Sequence, residues 1–310
     1  MAVPARTARP AADERTLREL VGRIGRVPDR YREFGQTAAE ATWQHGIDEA
    51  LLGTLTELGL PCRPGADGPR YDQLDLANVS LSLALPSARF MAMRGWAAAI
   101  RSAARASGAT SYTVDVLPAC PPGPREHDCN PAAAPLLREQ PGFDGPAGGP
   151  FTLTRLVPAR PAAVHPELAA LTELVAAVHF HYLPAGLRQD VGFLREAALA
   201  DCGLAATFLA EEALGLGLTA RRSFGLFLSA PYSIAHSWLD VRVDDRWVSF
   251  DPHLVNLLTG WNLLPAEEWP SYRSIGEGAW RLADHEFVMA MHDGAETPVS
   301  FPTRAAAHDA

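Results

Sequence analysis

The chain contains no lysine. Its 27 lysine-plus-arginine residues are all arginine, set against 36 acids, so a lysine base and Schiff-base chemistry are excluded. The net charge of −9 argues against a nucleic-acid partner. Only four cysteines occur in 310 residues, and no C-x-x-C pair exists to hold zinc or a redox disulfide. Cys120, His127 and Cys129 share a proline-rich stretch, but their spacing matches no common metal site. No apolar run approaches a membrane span, and the first 32 residues, with eight arginines against four acids, lack the apolar stretch of a secretory leader. These features predict a cytoplasmic protein that meets no membrane and needs no cofactor or metal. The P-loop, G-x-G-x-x-G, H-E-x-x-H and G-x-S-x-G motifs are also missing, which leaves phosphoryl transfer, hydride transfer and serine-hydrolase chemistry unsupported.

What is present is a composition that is 47% hydrophobic, enough for one large or two ordinary domains with a sizeable core. The first dozen residues read as disordered. Leu17, Leu20, Val21 and Ile24 recur at helical spacing, and residues 38 to 60 carry Ile47, Leu51, Leu52, Leu55 and Leu58 before a Gly-Leu-Pro stop. Residues 89 to 106 form a third predicted helix, and 111 to 117 and 151 to 157 are predicted strands. Between those strands, residues 118 to 150 are rich in Pro and Gly and read as a long loop, a lid or a partner-binding segment. A further helix carries Leu168, Leu171, Leu174, Val175 and Val178. His179 and His181 would lie two apart on it, on different faces, and so could not bind a metal together. The proline-rich stretch before it predicts a boundary between a mostly helical N-terminal region, 1–157, and a second domain, 158–310. After Pro252 the pattern is irregular, with Trp261, Trp269, Tyr272 and Trp280 expected to cover a sheet.

Chemistry concentrates in the second domain. Cys202 in Ala-Asp-Cys-Gly-Leu-Ala-Ala, His236 in Ala-His-Ser-Trp-Leu-Asp-Val and Asp251 in Trp-Val-Ser-Phe-Asp-Pro supply a nucleophile, a base and a carboxylate that can orient the base. Asp201 is a natural N-cap for a helix running to about Leu214, which leaves Cys202 in the first turn. There the helix dipole favours a thiolate and unpaired N–H groups could serve an oxyanion, while the Asp201 carboxylate opposes the first effect. Residues 237 to 243 and 246 to 250 alternate as half-buried strands around an Asp244-Asp245 turn. A two-residue turn opposes Val243 to Arg246, Val241 to Val248 and Leu239 to Phe250. Continued, the same register opposes Trp238 to Asp251 and His236 to His253, with Asp251 the diagonal neighbour of His236. His253, Asp240 and Asp245 read as edge groups.

Together Cys202 and its helix, Leu216-Gly-Leu-Thr-Ala-Arg221, the strand at 223–228, His236-Ser-Trp-Leu-Asp-Val241 and Arg246-Trp-Val-Ser-Phe-Asp-Pro252 resemble the core of transglutaminase-like proteins. The likeness spans roughly residues 165–255. It implies an α+β, papain-like core, a cysteine-bearing helix packed on an antiparallel sheet, with Cys202 as nucleophile, His236 as base and Asp251 as the orienting acid. It also implies an acyl-enzyme resolved by an amine or alcohol acceptor, the donor being a small molecule or a carrier-protein thioester, as in natural-product biosynthesis. The Arg-rich start would suit docking to an acidic carrier. The same triad also serves a cysteine peptidase, amidase or thioester hydrolase, and a non-catalytic protein could keep the fold. Trp238 and Trp247 are expected in the core or as cleft walls, and Arg221 and Arg222 as a strand-edge charge pair or as partners for a substrate carboxylate or phosphate.

Overall fold

A computed structural model describes residues 13–105, 107–119, 131–146 and 149–307. Cys120, His127, Cys129 and the first dozen residues lie outside them. The chain is mixed α+β, and its larger sheets are antiparallel. Among the described residues, no helix is long and apolar enough to cross a membrane.

Two compact units form, one from residues 1–90 with 182–186, the other from 91–181 with 187–310. In the first, the helices Glu14–Ile24, Ala38–His45, Glu49–Glu57 and Gln73–Ser82 accompany a three-stranded sheet ordered Phe34–Gln36, Gly68–Asp72, Cys62–Gly65. Leu17, Leu20, Val21 and Ile24 share its core with Leu52, Leu55, Leu76 and Val79. The single helix expected from 38 to 60 is two, because Gly46 takes a left-handed φ of 68° as C-cap and Asp48 caps the next helix through Leu51 N–H. The helix Gln73–Ser82, absent from the sequence reading, starts on an Asp72 cap that accepts from Leu74 and Asp75. Within the described part of the Arg-rich start, Arg15 pairs with Glu19 and Arg18 with Glu14 on the surface, and Arg32 is buried against Asp75.

The second unit holds a four-stranded antiparallel sheet ordered Arg246–Phe250, Ile234–Val243, Ala220–Phe227, Ala279–Ala283. A second sheet is built on Thr110–Pro118, which pairs with Phe151–Val157 on one side and with Val299–Ser300 and Thr303–Ala307 on the other. The boundary expected at 157/158 falls inside this unit. Its reason is packing: Val114, Val116, Phe151 and Leu153 bury in one cluster with Phe224, Leu226, Leu228, Trp280 and Leu282, so the strands before 157 have no separate core. The described part of 118–150 is not a lid, since Ala132–Ala133 pairs with Ala290–His292 and Leu137 is fully buried.

The sheet order places the hairpin at one edge, where its sequence made it legible. Asp244 and Asp245 both take positive φ, 45° and 60°, the geometry of a two-residue turn that matches strand twist. Val243 opposes Arg246, Val241 opposes Val248 and Leu239 opposes Phe250, as the alternation requires. The ladder then stops at Phe250, so the expected pairs Trp238–Asp251 and His236–His253 do not form. Asp251 turns away at φ −142°, ψ 79° to cap a helix, Pro252–Gly260, where an irregular stretch was expected. An Asp cap followed by proline at the first helical position was the available signal. The helix before 179 is also shorter than expected, Ala169–Val175, and His179 lies instead in a strand, His179–Phe180, parallel to Leu199–Ala200.

Candidate active site

Cys202 opens the helix Cys202–Gly215, which packs on the strands Ile234–Val243 and Ala220–Phe227. Leu204, Ala205, Ala206, Phe208, Leu209 and Ala213 are buried, so nearly every face of the helix is held and its first residue is placed rigidly. Asp201 caps it, accepting from Leu204 N–H at 3.0 Å and also reaching the N–H of Gly203. Two of the first-turn donors that could have served an oxyanion therefore serve the cap, leaving the N–H of Cys202 as the one Asp201 does not engage. Burial above all pushes the Asp201 carboxyl up to about 6, against the pull of the Leu204 N–H and of Arg188, whose Nε lies 3.5 Å away.

His236 and Asp251 are nearly closed to solvent, at 3% and 6% exposure, while Cys202 keeps partial exposure. His236 Nε2 lies 2.7 Å from Asp251 Oδ2, and Asp251 Oδ1 accepts the helix N–H of Leu254 at 2.9 Å. One carboxylate thus fixes both the ring and the start of a helix, which leaves Nδ1 as the ring nitrogen for Cys202. Burial opposes a charge on the imidazole, but the Cys202 sulfur beside it and the Asp251 hydrogen bond outweigh that, so His236 is pushed up to about 10.

The ring sits among aromatics. Trp238 lies nearly parallel to it, 18° between planes and 6.2 Å between centroids, Trp96 approaches to 5.7 Å, and Phe227 meets it edge-on at 6.2 Å. Trp96 comes from the helix Ala88–Arg105, and nothing in its local sequence marks it. Trp238, expected in the core or as a cleft wall, is in the core, 1% exposed, and donates its indole N–H to Asp240 Oδ1 at 2.8 Å. Asp240, expected as an edge group, is a buried hub: it also accepts from Ser223 Oγ at 2.7 Å, Ser249 Oγ at 3.1 Å and the Arg221 guanidinium at 3.3 Å. His253 is likewise buried, its Nε2–H directed at the Ala200 carbonyl oxygen at 3.2 Å. Asp245 alone of the three is an exposed turn group, paired with Arg242.

Arg222, another expected substrate contact, is engaged within the protein. Its Nη1 donates to Gln189 Oε1 at 2.9 Å and its Nη2 lies 3.6 Å from Glu286. Arg221 instead stacks over Trp247 at 4.0 Å, and Trp247 borders a cleft of about 450 Å³ with Arg160, His165, Arg246, Ser249 and Glu277, none of them a triad residue. Among the described residues no cluster of His, Cys, Asp and Glu has the arrangement of a metal site. Glu286, which sequence reasoning missed, lies on a loop with no periodic signal. No protein-family model matches the chain, and no curated protein matches it.

Proposed function

We propose that this chain is a transglutaminase-like cysteine acyltransferase. The observation that carries the reading is a Cys202–His236–Asp251 constellation in which the base and the acid are buried and only the nucleophile reaches solvent. In that reaction the Cys202 thiolate attacks the carbonyl carbon of a thioester or amide. His236 gives its proton to the departing thiol or amine as the C–S or C–N bond breaks, and an acyl-enzyme forms on Cys202. An amine or alcohol then attacks the acyl carbon, His236 takes its proton, and the thiolate leaves to restore the ion pair. Asp251 holds the ring in the tautomer that keeps Nδ1 toward sulfur. The aromatic groups around His236 lower the local dielectric, which strengthens the pair and disfavours water near the base. The carrier-protein donor rests on the family resemblance.

The decisive experiment incubates the protein with acyl thioesters of varied chain length, with and without amines. Intact mass should show an adduct on Cys202 and a released amide whose rate saturates with the right amine. Release of acid alone, with peptides or simple amides cleaved as fast as thioesters, would replace the transferase with a hydrolase. Unmodified Cys202 under every donor would remove the acyl-transfer reading.

A further inference from the structure

Glu286 is the charged group that borders both members of the reactive pair through their chain neighbours. Its Oε1 lies 2.3 Å from where a Cβ on Gly203 would stand, so the residue after Cys202 has room for this carboxylate only because it has no side chain. The same oxygen accepts from the hydroxyl of Ser237, the residue after His236, at 3.2 Å. Glu286 therefore lies one residue's breadth from both the nucleophile and the base, on a loop pinned by Phe287, whose ring meets Phe224 edge-on at 5.5 Å, and by the buried Met289. Its side chain is 35% exposed. Neither step of the triad chemistry uses it. Arg222 forms an ion pair with it, Nη2 at 3.6 Å, too long for a hydrogen bond; Nη1 donates to Gln189, while Nε and Nη2 are buried without a hydrogen-bond partner, so an arriving ammonium would share this carboxylate with Arg222.

A carboxylate there has a chemical use that an acyl-enzyme creates. We propose that Glu286 binds the ammonium group of the acyl acceptor, which makes the acceptor a cationic primary amine in preference to a neutral alcohol or water. The assignment rests on the Cys202 acyl-transfer reading. The amine arrives as R–NH3+, held against Glu286 by a charge-assisted hydrogen bond. It gives up one proton through that partly exposed carboxylate to solvent, and the free amine attacks the thioester carbonyl carbon. His236 takes the second proton, the C–S bond breaks, and Cys202 leaves as thiolate. Thioester plus R–NH3+ becomes amide, thiol and one released proton, so atoms and charge balance. An alcohol of the same shape carries no charge for Glu286 to recognise.

The test compares propylamine with 1-propanol as acceptors for a short-chain acyl thioester of N-acetylcysteamine, measuring the ratio of transfer product to free acid in each reaction. Glu286→Gln should lower the amine ratio about tenfold, the ordinary weight of a hydrogen bond to a charged group, and leave the propanol ratio within about twofold. Raising the ionic strength from about 0.02 to about 0.5 M should weaken the wild-type preference for amine in the same direction, because the attraction is between charges. An equal fall with both acceptors, or an unchanged amine ratio, overturns the role of Glu286 while leaving the acyl-enzyme in place. An acyl-enzyme in the wild type that only water resolves overturns it as well. Absence of any adduct on Cys202 overturns both this assignment and the reading it rests on.

Discussion

Each unit buries a charged pair, and the two pairs differ in what they leave open. In the first, Arg32 and Asp75 are 2% and 4% exposed and 2.7 Å apart, and three further guanidinium N–H groups go to the carbonyls of Ile24 and Val27 and to Asp29. Four of the five donors are thus engaged inside the protein, and the pair ties the end of the first helix to the helix Gln73–Ser82. In the second, His236 and Asp251 are as deeply buried and as close, but the third member, Cys202, reaches solvent. Burial above all, helped by the neighbouring Asp72 and Asp29 carboxylates, pushes Asp75 up to about 7 in spite of Arg32, so a displaced pKa does not separate the two places. An open reactive atom does. A closed pair can only stabilise, whereas an open one can act on something that arrives.

The largest expected effect sharpens that contrast. Cys202→Ala should lower turnover by roughly 10⁶-fold, as loss of a triad nucleophile does, while the protein still folds cooperatively at neutral pH, since the residue is only half-buried. Steady-state rates and calorimetry on one preparation check this, and retained turnover would falsify the cysteine mechanism. In the closed pair, Asp75→Ala should instead lower stability by about 3–5 kcal/mol, because Arg32 is left buried and unpaired. Urea melts followed by fluorescence read that loss directly. A loss under about 1 kcal/mol would mean that the backbone carbonyls suffice to satisfy the arginine.

Asp251→Asn tests whether the acid acts by orientation. Asparagine keeps an oxygen to cap Leu254, so the fold should hold, while turnover falls by roughly 10²–10⁴ through loss of tautomer control. A near-normal rate in that variant would transfer the orienting role to another group. The smallest effect is a pH dependence. His236 is raised from 6.5 to about 10 in the folded protein, so its contribution to stability is complete below pH 6.5 and is lost as the pH climbs through about 10. Melting temperature should therefore fall across that window in the wild type and fall less in Cys202→Ala, which lacks the sulfur that helps raise the imidazole. Identical slopes for the two proteins would show that the sulfur plays no part.

Several features of the site were legible in the chain because they are local. The Asp201 cap, the helix from Cys202 and the hairpin register through Leu239 and Phe250 each depend on a handful of adjacent residues, whose caps, turns and alternation act over a few ångströms. Asp251 marks where that legibility stopped. Extending the ladder was the natural reading of an alternating strand, but Pro252 cannot supply the N–H a further rung would need, and the carboxylate found a better use as a cap. The boundary at 157/158 failed for a different reason: a proline-rich stretch marks a break in local structure, and only packing reveals that the strands on both sides share one core.

The sequence by itself singled out the residues proposed for the chemistry and determined the local geometry that presents Cys202 and His236, since the helix cap and the strand follow from short-range capping and periodicity. Tertiary structure alone decided the rest. It brought Trp96 against the imidazole from a helix far upstream, buried Trp238 on the Asp240 hub instead of in a cleft, took Trp247 and Arg221 away from the triad, and laid Glu286 over Gly203 from a loop without pattern. Such placements come from the close packing of distant segments, where the fit of volumes and the pairing of buried polar groups choose the neighbours, and no stretch of adjacent residues records that choice.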